Sequence, residues 1–237
     1  MIVRGRIDRR ILVNYRLDPE RAAEALPKPF RPKLVEGQAV GGVCLIRLDE
    51  VRPRGLPAWM GIRSENAAHR FAVEWDENGE TREGVYIPRR DSDSWINRMA
   101  GGRVFPGEHC AARFDVHEDR ETFTVAMQSL DGETRVRVDA RTTDRLPEDS
   151  IFPSLEAVSQ FFERGSVGYS ATARGDRFEG IELHAHRWAI EPLDVRDVGS
   201  SFFDDLARFP KGAATFDCAL LMRDIEHEWV AQEPICV

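Results

Sequence analysis

The sequence predicts an α+β, mainly β fold: one domain over residues 1–237, built on a closed antiparallel β-barrel with a few peripheral helices. Three observations carry this expectation. Apolar and polar residues alternate in many short runs separated by Gly, Asp and Asn, the pattern of half-buried strands joined by turns. No regular strand–helix–strand alternation is present, which argues against a doubly wound parallel sheet. A chain of 237 residues is long enough for one sizeable core, and closing the sheet removes its exposed edges.

The elements follow in order. Ile11, Val13, Tyr15 and Leu17 share one face of the first clear strand, with Arg10, Asn14 and Arg16 on the other. Asp18 then caps a short helix with Pro19 at its first position and Ala22, Ala23 and Leu26 along it, ended by Pro27 and Pro29. Residues 39–48 are apolar on both faces, as in a strand covered on each side. Residues 51–63, with Pro53, Gly55 and Pro57 before Trp59 and Met60, read as a long loop with an apolar tip. A strand over 65–75 turns at 76–79 into another around 85–88. Asp131-Gly132 marks a hairpin between Phe123/Val125/Met127 and Val136/Val138/Ala140. Helices are expected over 93–100, stopped by Gly101 and Gly102, and from Pro153 through Phe162, stopped near Gly165. Strands over 167–174, 181–190 and 215–222 and a short helix over 200–209 complete the reading.

Composition narrows function. Hydrophobic residues make up 42% and charged residues 31%, an ordinary globular balance. No apolar run approaches the roughly 20 residues that span a bilayer, and no secretory signal is expected at the N-terminus, so the expected location is the cytoplasm. A net charge of -8 argues against a nucleic-acid partner, although the first sixteen residues hold five arginines against Asp8. The cysteines Cys44, Cys110, Cys218 and Cys236 form no CxxC pair and read as buried free thiols.

The usual catalytic motifs, GxGxxG after a strand, GxxxxGK[ST], HExxH and GxSxG, are absent. In the strand over 65–75, Glu65, Ala67, His69, Phe71 and Val73 share a face that is apolar except for its acid and its imidazole. Facing a cavity, Glu65 would be a general acid or base, because burial among apolar groups favours proton transfer by a carboxylate. His69, about 13 Å along the strand, would anchor another part of a ligand. The alternative is a solvated Glu65 at the strand entrance and a core His69. Trp59 either lines a pocket mouth or packs over the barrel end. His184 and His186 form an HxH pair that the pattern points to solvent, and His227 lies in a charged run that reads as surface. No metal site and no cofactor are expected.

Asn14-Tyr15-Arg16-Leu17-Asp18, the helix after it and Pro27-Lys28-Pro29-Phe30 resemble the opening of acetoacetate decarboxylases. The 51–57 segment Val-Arg-Pro-Arg-Gly-Leu-Pro resembles the YqjF-like uncharacterised family, domain of unknown function 2071, in the same superfamily. Glu65, Gly84-Val85-Tyr86 and Phe105-Pro106 follow in the family order. The resemblance covers residues 10–115 and is only topological beyond. It implies an acetoacetate decarboxylase-like barrel with a central cavity, often in a homo-oligomer. In the decarboxylase two lysines follow the aromatic-Pro pair and one forms a Schiff base; here Gly107 and Glu108 stand there, and Glu108 becomes a candidate ligand contact. The only lysines are Lys28, Lys33 and Lys211, so imine chemistry is not expected. Glu65 matches the family's acidic strand residue, the second family carboxylate falls at Cys44, and the family arginine falls nearest Asp8, beside Arg9 and Arg10.

The expected function is binding of a small organic molecule in the barrel, with Glu65, His69, Trp59 and Glu108 around it. The alternatives are a non-covalent lyase, hydratase or isomerase using Glu65, and a scaffold or interaction protein with a filled barrel.

Overall fold

A computed structural model describes residues 2–95 and 106–236. Thirteen strands dominate it: β1 (Ile2–Leu17), β2 (Arg31–Pro32), β3 (Leu34–Val35), β4 (Gln38–Pro53), β5 (Ile62–Glu77), β6 (Glu80–Ser92), β7 (His109–Glu118), β8 (Thr122–Ser129), β9 (Arg135–Thr142), β10 (Val167–Ala171), β11 (Arg177–Ala185), β12 (Glu191–Ser200) and β13 (Ala214–Cys236). Helices α1 (Pro19–Glu24) and α2 (Leu155–Arg164) flank them. The caps are those the residues dictate. Asp18 accepts from the amides of Glu20 and Arg21, Ser154 accepts from Ala157, and Gly165 closes α2.

Strand pairing runs β5-β6-β7-β8-β9-β12-β13-β1-β4 and back to β5, a ring of nine strands that departs from the antiparallel expectation at β6–β7, which pair in parallel. The same pairings trace a second circuit of seven, β11-β10-β6-β5-β4-β1-β13 and back to β11. Strands β1, β4, β5, β6 and β13 belong to both circuits, so each can bury both faces. This is why residues 39–46 of β4 are apolar on both sides and all buried. One core, including Ile11, Val43, Phe71, Val125, Val138 and Leu221, fills the nine-strand ring. The other, including Leu12, Phe152, Val158, Phe162, Ile181 and Met222, lies on the opposite face beneath α2 and β11.

Several elements differ from the sequence expectation. The loop over 51–63 is shorter, because β4 extends to Pro53 and β5 starts at Ile62, pairing Val51 with Ile62 around a single 3₁₀ turn at Ala58–Met60. Residues 201–209 form turns, not a helix, and carry Phe203 and Phe209 into the core of the nine-strand ring. Strand β12 escaped the sequence reading because Asp194, Arg196 and Asp197 interrupt its alternation and a bulge falls between Val195 and Asp197. Strand β7 escaped it too. Strand β11 ends at Ala185, not 190, and β13 continues to Cys236. Of the helix expected over 93–100, residues 96–100 lie outside the described residues. His227 is 1% exposed, not on a charged surface: it sits opposite Gly5 on β1, where the missing side chain admits its ring.

Candidate functional site

Register assembles the site. On β1, β4, β5 and β6 the residues Leu12, Cys44, Ala68 and Arg90 lie opposite one another in one row, and His109 of β7 pairs beside Arg90. A neighbouring row holds Arg10, Ile46, Asn66 and Ser92, and a third holds Asn14, Gly42 and Arg70. Residues opposite in a ladder project to the same face, here the face of the second core. Ala68 sets only a methyl group opposite Cys44. At Gly42 only glycine fits, since a Cβ would lie 2.2 Å from the Val13 carbonyl oxygen.

Three guanidinium groups gather on this floor. Arg10 Nε donates to Cys44 Sγ at 3.3 Å and Nη1 to Met222 Sδ at 3.7 Å. Arg70 Nη2 donates to Asn14 Oδ1 at 2.5 Å, with its guanidinium 4.6 Å from the Phe162 ring centre. Arg90 Nε donates to Ser170 Oγ at 3.4 Å. Arg70 Nε and Nη1 and Arg90 Nη2 are buried with no hydrogen-bond partner among the described residues. Burial lowers both arginines to about 10, which leaves them charged at neutral pH. Burial and Arg90 lower His109 to about 3, so its imidazole is neutral. Among the described residues no carboxylate bonds to Arg10, Arg70 or Arg90, and residues 96–105 contain no Asp or Glu. Beside this floor lies a cavity of about 80 Å³ lined by Ile46, Asn66, Ala68, Arg90, His109 and Trp229 among others, with Asp91, already bonded to Arg89, also in its wall. By size it holds several waters or a small organic acid.

Glu65 points the other way. An extra residue at Asp8 lets Ile7 and Arg9 face consecutive residues of β4 and brings Arg9 to the face of Ile11. There Glu65 accepts from Arg9 Nη2 at 2.6 Å and from Arg47 Nε at 2.5 Å. Both arginines also bond Glu118 at the end of β7. The expectation of an acid among apolar groups is thus corrected: Glu65 belongs to a cluster of five charges on the nine-strand ring, Arg9, Arg47, Glu65, Glu118 and Asp8, the last accepting from Arg47 at 3.4 Å. Of the two candidate arginines, Arg9 meets Glu65 and Arg10 meets Cys44.

The other expected residues are scattered. His69 is fully buried on the Glu65 face, its ring 4.8 Å from that of Phe202 and its Nδ1 4.0 Å from Asp91. Burial lowers it to about 3, with Arg89 and Arg208 adding to the effect. Trp59 is 83% exposed and neither packs on the barrel end nor joins a cavity residue above. Glu108 is exposed on the wall of a cleft of about 730 Å³ shared with Arg89, Arg90, Ser170 and Phe202. His184 and His186 are exposed, as their strand face indicated. Lys28 and Lys211 are exposed, and Lys33 pairs with Glu83.

Sequence reasoning missed Arg70, Arg90, Asn66 and His109. A signal was present: Asn66, Ala68 and Arg70 alternate with the Glu65 face, so a second buried face was readable once both faces of β5 were allowed to be interior.

The model of the DUF2071 family, described as an uncharacterized conserved protein, matches residues 5–216. A comparison with curated proteins finds no match. Among solved structures the chain is similar to an acetoacetate decarboxylase from Legionella pneumophila, at 13% identity and a TM-score of 0.59, covering 100% of this chain and 87% of the other. An acetoacetate decarboxylase-like enzyme from Sphingomonas wittichii RW1 aligns at 12% identity and TM-score 0.59, over 100% and 92%. The enduracididine biosynthesis enzyme MppR complexed with pyruvate aligns at 13% and 0.60, over 98% and 88%. At such identities these likenesses establish the fold alone.

Proposed function

The chain belongs to the DUF2071 family of uncharacterized conserved proteins, and from that premise we propose that it binds a small organic carboxylate on the floor formed by β1, β4, β5 and β6. The observation that carries this reading is a set of three guanidinium groups, Arg70 buried and Arg10 and Arg90 partly buried, with no acidic partner among the described residues. A buried charge is expensive unless paired. Two of these cations retain buried N–H groups without acceptors among the described residues, and a carboxylate in the adjoining cavity, which Arg90 lines, supplies charge and lone pairs. The pyruvate complex of the structurally similar MppR supports this size and class of ligand.

In this reading the ligand lies on the face of Asn66 and Cys44. Glu65 anchors Arg9 and Arg47, His69 packs the ring interior, and Trp59 and Glu108 remain outside. No imine is formed, because the lysines are placed at exposed positions or paired with Glu83. Calorimetric titration with pyruvate tests the proposal. Saturable binding to the native chain, weakened at least tenfold in Arg90→Met, is expected, tenfold being about 1.4 kcal/mol. Equal affinity in the two proteins overturns it.

A further inference from the structure

The three arginines surround a sulfur. Cys44 lies at the centre of the floor: Arg10 is one row away and bonds Sγ directly, Arg90 reaches in across Ala68, and Arg70 stands diagonally opposite beyond Gly42. The Cys44 sulfur is an electrostatic neighbour of both Arg70 and Arg90. Arg70 is 3% exposed and keeps Nε and Nη1 without acceptors among the described residues. These unused donors point to a bound acceptor beside the sulfur. Cys44 itself is 7% exposed, and the cavity begins at Ile46 and Ala68, its neighbours along β4 and across the ladder. Of the other cysteines, Cys218 is fully buried, Cys110 is partly buried with its thiol pKa pushed up by burial, and Cys236 is exposed, so Cys236 serves as the reference for ordinary reactivity.

We propose that Cys44 is the nucleophile of this pocket, adding to electrophiles whose carboxylate the surrounding arginines hold. The inference rests on the carboxylate reading above and extends it to covalent chemistry. With a 2-oxo acid the step is redox-neutral. A bond forms between Sγ and the carbonyl carbon, the carbonyl π pair moves to oxygen, and the thiol proton ends on that oxygen, giving a hemithioketal without a co-reactant. The guanidinium groups neutralise the carboxylate and the charge that develops on oxygen. With a haloacetate, the S–C bond forms as halide leaves and the thiol proton passes to solvent.

Labelling of the full chain at neutral pH with iodoacetate and with iodoacetamide, read by peptide mass mapping, tests this without a folding-sensitive variant. An ordinary thiol gains nothing from the negative charge of iodoacetate. At Cys44 iodoacetate is expected to outpace iodoacetamide, to label Cys44 roughly tenfold faster than Cys236, and to be slowed by saturating pyruvate; tenfold corresponds to one favourable charge contact of about 1.4 kcal/mol. Cys44→Ser should abolish the fast phase. If pyruvate binds by calorimetry while Cys44 stays unlabelled or prefers iodoacetamide, the nucleophile is refuted and the carboxylate site stands. If pyruvate does not bind and Cys44 reacts no faster than Cys236, both readings fail.

Discussion

Replacing Glu65 by Gln separates a structural carboxylate from a catalytic one. In the native chain its two oxygens accept from Arg9 and Arg47, and Arg9 is 2% exposed. Removing one partner of a buried ion pair costs about 3–5 kcal/mol. Here both arginines keep Glu118, and Gln still offers one acceptor, so about 2–3 kcal/mol is the expected loss. With a urea dependence of roughly 2–3 kcal/mol per molar for a domain of this size, the unfolding midpoint should fall by about 1 M. Glu118→Gln, at a side chain 22% exposed, should cost less, about 1 kcal/mol. Urea titration followed by tryptophan fluorescence measures both, alongside pyruvate affinity, which should be unchanged in Glu65→Gln. A midpoint equal to the native one with lost pyruvate binding would show that Glu65 serves the ligand and not the cluster.

Further outcomes follow from the same contacts. Stability should depend on pH through the buried imidazoles. His69 at about 3 and His227 at about 4 lie below the ordinary value of 6.5, so the unfolded chain binds more protons below pH 6.5. The stabilisation is complete above that pH and is lost as pH falls toward the folded values, by about 1.4 kcal/mol per unit for each histidine. His69→Phe should lower this slope in pH-dependent denaturation, and an unaltered slope would contradict the assignment. Borohydride treatment in the presence of acetoacetate should leave the intact mass unchanged; a stoichiometric lysine adduct would contradict the expectation that no imine forms.

Much of the fold was legible in the sequence because its signals are local. Asp18 with Pro19 specifies α1, Ser154 and Gly165 bound α2, and Asp131-Gly132 joins β8 to β9 with Gly132 at φ 77°. The apolar character of both faces of β4 indicated a doubly covered strand. What sequence could not reveal was that five strands are shared by two circuits, since pairing between distant strands leaves no local trace. The candidate site suffered from the same blindness. Period-two alternation grouped Glu65 with His69 correctly, yet it could not tell which face holds the cavity. The partners that neutralise Glu65 come from β1, β4 and β7, and one of them faces it only because of the irregularity at Asp8. Arg70 and Arg90 belong to no motif, and only register places them around Cys44. The three-dimensional neighbours, more than the residue types, decide that Glu65 is paired and that these arginines lack acids.

A crystal structure of the chain soaked with pyruvate tests the central claim most directly. The account predicts a carboxylate within hydrogen-bonding distance of Arg90 Nη2, on the Asn66 and Ala68 face of β5. Pyruvate bound instead beside Glu65, or in the cleft of Glu108 with the arginine floor unchanged, would contradict it.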